Sequence, residues 1–307
     1  MTRPTLPPQL HVFVRDWLSA NHVVLRSDQG NVVIDTGYVK HVPLTLALIA
    51  SRQGMDGAPL ARIVNTHCHS DHMGGNAALK RAYGCPIALP RGEADKVARW
   101  DVRELLLDYA DQRADRFVAD EIIDAGTVQV WGDLEWRVVA APGHDMDAVV
   151  FFNEEHGILI SGDALWERGF GFVVPEAIDP RALPAARATL DAIGALDARI
   201  VIPGHGEPFT DVSAALDRAY RRVEAMVADP QRSAGHALKV ILTFALLDKG
   251  SMPLEHLPAY FERVGLYRDI NALFFAMPPG ALAERIVREL EQAGAVRRSE
   301  DLLVTAG

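Results

Sequence analysis

Cysteine is scarce in this chain of 307 residues: Cys68 and Cys85 are the only two. A disulfide-stapled secreted scaffold is therefore excluded, and a reducing compartment suits the composition. Long apolar runs are missing as well. The longest candidate, residues 240–247, is far short of the roughly 18 apolar residues that span a membrane. Positive charge is in deficit, with 31 Lys and Arg against 41 Asp and Glu and a net charge of −10. That balance provides no overall basic face for a nucleic-acid duplex. The stretch MTRPTLPPQLHVFVRDW has neither the basic start nor the continuous apolar segment of a signal peptide. These absences point to a cytoplasmic protein with no membrane partner, for which nucleic acid is not the expected substrate. What the chain does have is a hydrophobic fraction of 49%, ample for a core at this length.

The first two thirds alternate short apolar runs with turn residues. Strands are expected over 11–17, 22–26, 31–35, 61–65, 127–131, 135–140, 148–152, 158–161 and 199–202. Helices are expected over 43–50, 76–83, 91–113 and 181–196, with Asn76 a candidate N-cap and Gly84 a stop. Two groups of strands with helices between them suggest a layered α/β sandwich. After about Phe209 the texture changes to helices over 212–227, 237–249, 254–264 and 282–293, then a small hairpin from 294–298 and 302–305. This order is that of a winged helix. From Ser213 onward there are 12 Lys and Arg and 12 Asp and Glu, so the C-terminal part is neutral. The expected division is 1–210 and 211–307.

Chemistry concentrates in one short run. His67, His69 and His72 fall within six residues, together with Asp71. Neutral imidazole is the commonest metal ligand, and carboxylate suits a divalent cation. In extended backbone His67 and His69 project to one side and Cys68 to the other. Three later residues follow strands with glycine beside them: His144 in Ala-Pro-Gly-His, Asp163 in Ser-Gly-Asp and His205 in Pro-Gly-His-Gly. Ligands on loops held by a rigid sheet are what a preorganised metal site requires.

The His-x-His-x-Asp-His run, with His144, Asp163 and His205 in order behind it, resembles the metallo-β-lactamase superfamily over roughly residues 10–210. The resemblance implies an αββα sandwich with the site at one edge of its two sheets. It implies that His67, His69 and His144 hold a first metal, that Asp71, His72 and His205 hold a second, and that Asp163 bridges them. Asp71 and Asp163 are then the catalytic carboxylates. Zinc is the default, and iron and manganese occur in relatives with the same ligands. The complete set, with Gly-Gly-Asn behind the first motif, looks most like the glyoxalase II branch. That implies a small-molecule substrate and a metal-bridging hydroxide attacking a carbonyl ester, thioester before lactone.

Two alternatives stay in play, a nuclease and a mononuclear iron dioxygenase of the same superfamily. The neutral C-terminal part opposes the first, and the intact second ligand set opposes the second. Asp145 or Asp147 could orient a ligand imidazole, or simply decorate a turn. Asp35-Thr36-Gly37 is expected to shape the floor of the site. Trp166 and the Gly169–Phe172 stretch could form an apolar wall. His11, His22, His41, His156, His236 and His256 are read as structural or solvated. The C-terminal part either caps the site or forms a homodimer, and the sequence leaves both open.

Overall fold

The computed structural model describes residues 4–306 of the chain. Its strands form a first sheet in the order β1-β2-β3-β4-β5-β6. These are Leu10–Phe13, His22–Leu25, Asn31–Ile34, Leu60–Val64, Ile87–Pro90 and Glu121–Ile123. A second sheet runs β11-β10-β9-β8-β7. In chain order its members are β7 to β11: Val128–Trp131, Leu134–Ala140, Val149–Asn153, Ile158–Gly162 and Ile200–Pro203. The first hairpins are antiparallel. From β3 onward the first sheet is parallel, with helices on the crossovers.

The period of two along each strand decides what faces what. Val23, Leu25 and Ile34 point to the second sheet and meet Trp136, Val138, Phe151 and Ile160. Val24 and Val33 point the other way, onto Ile49, Met73 and Leu79 of the first helical layer. On the far side Phe152, Leu159 and Val201 pack on the helices Ala182–Gly194 and Val212–Ala228. The result is the expected four-layer αββα sandwich. The C-terminal helices gather around Leu238, Leu242, Phe261 and Ile286, in a core that Tyr109 and Ala110 also enter. A three-stranded sheet, β12-β14-β13, closes it: Ser251–Pro253, Val296–Ser299 and Leu302–Thr305 are β12, β13 and β14. The helix Pro230–Lys249 ties this unit to the sandwich, where Arg113 grips the buried Asp248 and Lys40 donates to the carbonyls of Leu247 and Asp248. Among the described residues no helix is long and apolar enough to cross a membrane.

Several expected elements are corrected. The helix expected over 91–113 stops at Arg99, where Trp100 takes left-handed backbone, and only Leu107–Ala110 resumes it. Asp101 accepts from the backbone N–H of Arg103 and Glu104, offering the chain an alternative to the helical ladder. Asn76 is not a cap. Gly75 takes that position, and the Asn76 amide donates to Asn65 while accepting from Thr36. The helix expected from 237 starts at Pro230, capped by Asp229 through the N–H of Arg232. The strands β5, β6 and β12 were not expected. β5 lies between Pro86 and Pro90, and β6 and β12 are three residues each. The C-terminal hairpin therefore becomes a three-stranded sheet.

Phe151 is fully buried between the sheets against Trp131. Phe151→Ala is expected to cost about 3–5 kcal/mol in urea unfolding. Val130→Ala, at 66% exposure on an edge strand, should stay within about 0.5 kcal/mol.

Candidate metal centre

The end of β4 carries the chain into the site. Extended backbone at His69 turns into the short helix Ser70–Met73. His67 and His69 face the cleft, while Cys68 is fully buried in the layer of Met73 and Leu79. Five other loops converge on this run. The N–H of Val149 is held by the carbonyl of Thr66, that of Ala20 by Asp71 and that of Thr36 by His72. Gly171 and Gly204 let two loops close over the centre. A Cβ on Gly171 would lie 2.6 Å from His144 Nδ1, and one on Gly204 would lie 2.4 Å from Asp163 Oδ1.

All seven residues singled out in the sequence meet at this edge of the sandwich, in two groups. In the first, His144 Nε2 lies 2.7 Å from His69 Nδ1 and 3.2 Å from His67 Nε2. In the second, Asp71, His72, Asp163 and His205 surround one point. His205 Nε2 is 3.1 Å from Asp71 Oδ2, and His72 Nε2 is 3.3 Å from Asp163 Oδ1. The other oxygen of Asp163 lies 3.3 Å from His144 Nε2. One carboxylate thus faces both groups.

The outward ring nitrogens are occupied by the protein. His72 Nδ1 donates to Asp35 Oδ2 at 2.8 Å, and His144 Nδ1 donates to the carbonyl of Phe172. His67 Nδ1 lies 3.1 Å from the Thr66 hydroxyl, which in turn donates to Asp35. These contacts orient the rings and turn their other nitrogens inward, toward a position where a cation can replace a proton. His72 Nε2 is buried and has no hydrogen-bond partner. Nitrogen and oxygen donors converging at these distances, one of them buried and unpaired, form a cradle for a cation. The donor set, imidazole nitrogen and carboxylate oxygen, fits a divalent metal.

Electrostatics divides the centre. Burial, then the neighbouring imidazoles, hold His67 well below the ordinary histidine range, and burial takes His69 to about 3. Burial would lower His72 too, but Asp35, Asp163 and Asp71 outweigh it and hold it well above that range. Burial would raise Asp71, yet His72 and His205 bring it to about 2. Asp163 is likewise held low against burial, by His72, His205 and His144. Both carboxylates are therefore anionic at neutral pH.

Above the donors lies a cavity of about 210 Å³. Phe170, Phe172 and Trp166 form part of its wall, as the sequence suggested, and Trp166 Nε1 donates to Asp163. Other residues escaped the sequence reading. Asp35 was expected to shape the floor, and it does so by gripping His72 directly. Asp145 contacts a different histidine from the adjacent one: it lies 3.6 Å from His69 Nε2 and is held by the buried Lys96 at 2.9 Å. Trp17 stacks on His205, and His236, read as structural or solvated, lines the cavity instead. Trp17, Lys96 and His236 lie outside every motif, so only the assembled fold reveals them.

The sequence model of the metallo-beta-lactamase superfamily matches residues 15–205. The chain belongs to that superfamily. Membership implies a divalent-metal site of histidine and aspartate. Among its relatives, a hydroxyacylglutathione hydrolase of Rhodopseudomonas palustris is 32% identical over 148 residues, 45% of this chain and 50% of that one. Its counterpart in Bdellovibrio bacteriovorus is 30% identical over 112 residues, 36% and 37% of the two chains. The chain thus matches half or less of the length of these relatives. Two solved superfamily structures share the fold over 98% of this chain. A beta-lactamase domain protein from Burkholderia ambifaria has a TM-score of 0.61 at 21% identity, with 93% of it covered. A metallo-beta-lactamase family protein from Thermus thermophilus has a TM-score of 0.57 at 21% identity, with all of it covered.

Two variants probe how this superfamily centre is held. Asp35→Asn should weaken metal affinity about 10–100-fold in chelator competition, because it loosens His72. Cys68→Ser should keep its metal, since the sulfur faces the core; loss of metal there would place sulfur among the ligands.

Proposed function

We propose that the chain is a metal-dependent hydrolase of small thioesters, with lactones as a secondary class. The observation that carries this reading is the pair of donor groups sharing Asp163 at the base of a cleft. In this reading His67, His69 and His144 hold one metal ion, Asp71, His72 and His205 hold a second, and Asp163 bridges the two. Zinc is the default for such nitrogen and oxygen donors, with iron and manganese compatible. Divalent metal, when bound, supplies an activated water at neutral pH and polarises the acyl oxygen.

The chain's own residues do the rest. Asp71 and Asp163, anionic at neutral pH, set negative charge against the cations. Asp35, Thr66 and the Phe172 carbonyl hold the imidazoles in the ligating tautomer. Trp17, Trp166, Phe170 and Phe172 screen the reacting carbonyl from bulk water. Residues 1–210 carry the chemistry in this scheme, and residues 211–307 supply a wall of the cleft. The preference for thioesters is supported by the relatives' name, which describes release of an acyl group from glutathione. The neutral C-terminal part and the small, largely apolar cavity favour a small organic substrate over a polyanion.

Elemental analysis of the purified protein should approach two transition-metal ions per chain, and a chelator should abolish thioester turnover. Asp163→Ala should lower occupancy of both positions, because the bridge serves both. Wild-type metal content in that variant would remove the bridging role. Tight, strongly salt-dependent binding of an oligonucleotide would favour the nuclease instead.

A further inference from the structure

The cleft continues past the metal centre in two directions. Trp17, His236, Val240 and Phe244 line both the central cavity and a neighbouring groove of about 310 Å³. Leu247, Leu290 and Ala293 extend that groove, whose surface is almost wholly apolar although Lys239 stands on the border it shares with the second groove. At its mouth Trp17 is 56% exposed, a large aromatic face left to solvent beside a reactive site. The second direction has the opposite character. Phe172, Arg222 and His236 are shared with a groove of about 320 Å³ that also exposes Arg232 and Lys239. Lys239 is paired with Glu289 at 3.0 Å. Arg222 is half-buried; it donates to the carbonyl of Phe170 at 2.6 Å and lies over that ring, with no carboxylate among its described partners. A partly buried cation without an acid partner is costly, and the cost falls when an anion binds. The net charge of the chain is −10, so this cationic wall is not a general property of the surface.

Resting on the thioester reading above, we propose that the substrate is an acyl thioester with an aliphatic acyl chain and an anionic thiol portion. The chain lies in the groove beneath Trp17 and Phe244, and the anion lies against Arg222 and Arg232. The scissile carbonyl sits in the central cavity over the metal centre, from which both grooves open. In the reaction the oxygen of water bonds to the acyl carbon and the C–S bond breaks. The sulfur keeps the electron pair and takes one proton. The acid leaves as a carboxylate, releasing the second proton. No oxidant or reductant is required. Carboxylate-bearing and phosphate-bearing thiols share the required charge, and the test separates them.

The metal-loaded full chain is assayed with acetyl, butyryl, hexanoyl and octanoyl thioesters. Each is made on neutral N-acetylcysteamine, on mercaptopropionate and on coenzyme A. kcat/KM should rise about fourfold per buried methylene until the groove is full. It should be about tenfold higher on the better-fitting anionic thiol than on the neutral one. Ala293→Phe, at an exposed position at the end of the groove, should compress the octanoyl-to-acetyl ratio. Arg222→Met should compress the anionic-to-neutral ratio. Arg232→Ala should act in the same direction, and it tests the point should the first variant fail to fold. Independently of turnover, saturated carboxylates from butanoate to decanoate are titrated against indole fluorescence, with Trp17→Ala as control. Affinity that rises with chain length while no thioester is cleaved would sink the hydrolase reading and keep the groove assignment. Rates and affinities that ignore chain length would overturn the acyl groove. Rates that ignore thiol charge would overturn the anion site.

Discussion

The crowding of seven metal-binding donors at one edge of the sandwich is the constraint that the rest of this molecule has to satisfy. His67, His69 and His144 turn ring nitrogens toward one another, and Asp71 and Asp163 sit together around His72 and His205. Such a cluster would spread apart on flexible loops. It is held because each loop springs from a strand end and is clamped by a neighbour. The sandwich core, with Phe151, Trp136 and Ile34 interleaved between the sheets, fixes those strand ends relative to one another. The same clamps preset the imidazole tautomers, so little rearrangement is left for metal binding.

The C-terminal unit gives that centre its surroundings. Its long helix Pro230–Lys249 presents Val240, Ile241 and Phe244 to the cleft. Phe244 packs against Leu18 and Tyr38, and Arg113 with Asp248 locks the helix to the sandwich. The cleft thus has walls from both the sandwich and the C-terminal helices, with the donor residues at its base.

Much of this could be read from the residues. The run His67–His72 is local, so its periodicity alone placed two imidazoles on one side and Cys68 on the other. His144, Asp163 and His205 were marked by glycines at strand ends. A layered sandwich followed from two sets of short apolar strands, and its αββα order from the resemblance to the superfamily. What escaped reading depends on contacts between distant segments. Asp35 meets His72 across 37 residues, and Lys96 meets Asp145 across 49. Trp17 and His236 have no pattern around them, and they matter only because two units close over one cleft. The helix expected over 91–113 failed for a local reason, the competing side chain of Asp101, which a charge-rich segment conceals.

The central claim is that Asp163 joins two metal positions, one flanked by His67, His69 and His144 and the other by Asp71, His72 and His205. Anomalous X-ray scattering from crystals of the metal-loaded protein, recorded at the absorption edge of the bound element, locates each ion directly. The account predicts two anomalous peaks per chain, one within each donor group, with a carboxylate oxygen of Asp163 on each. A single peak, or two peaks with Asp163 turned away from either, would contradict it.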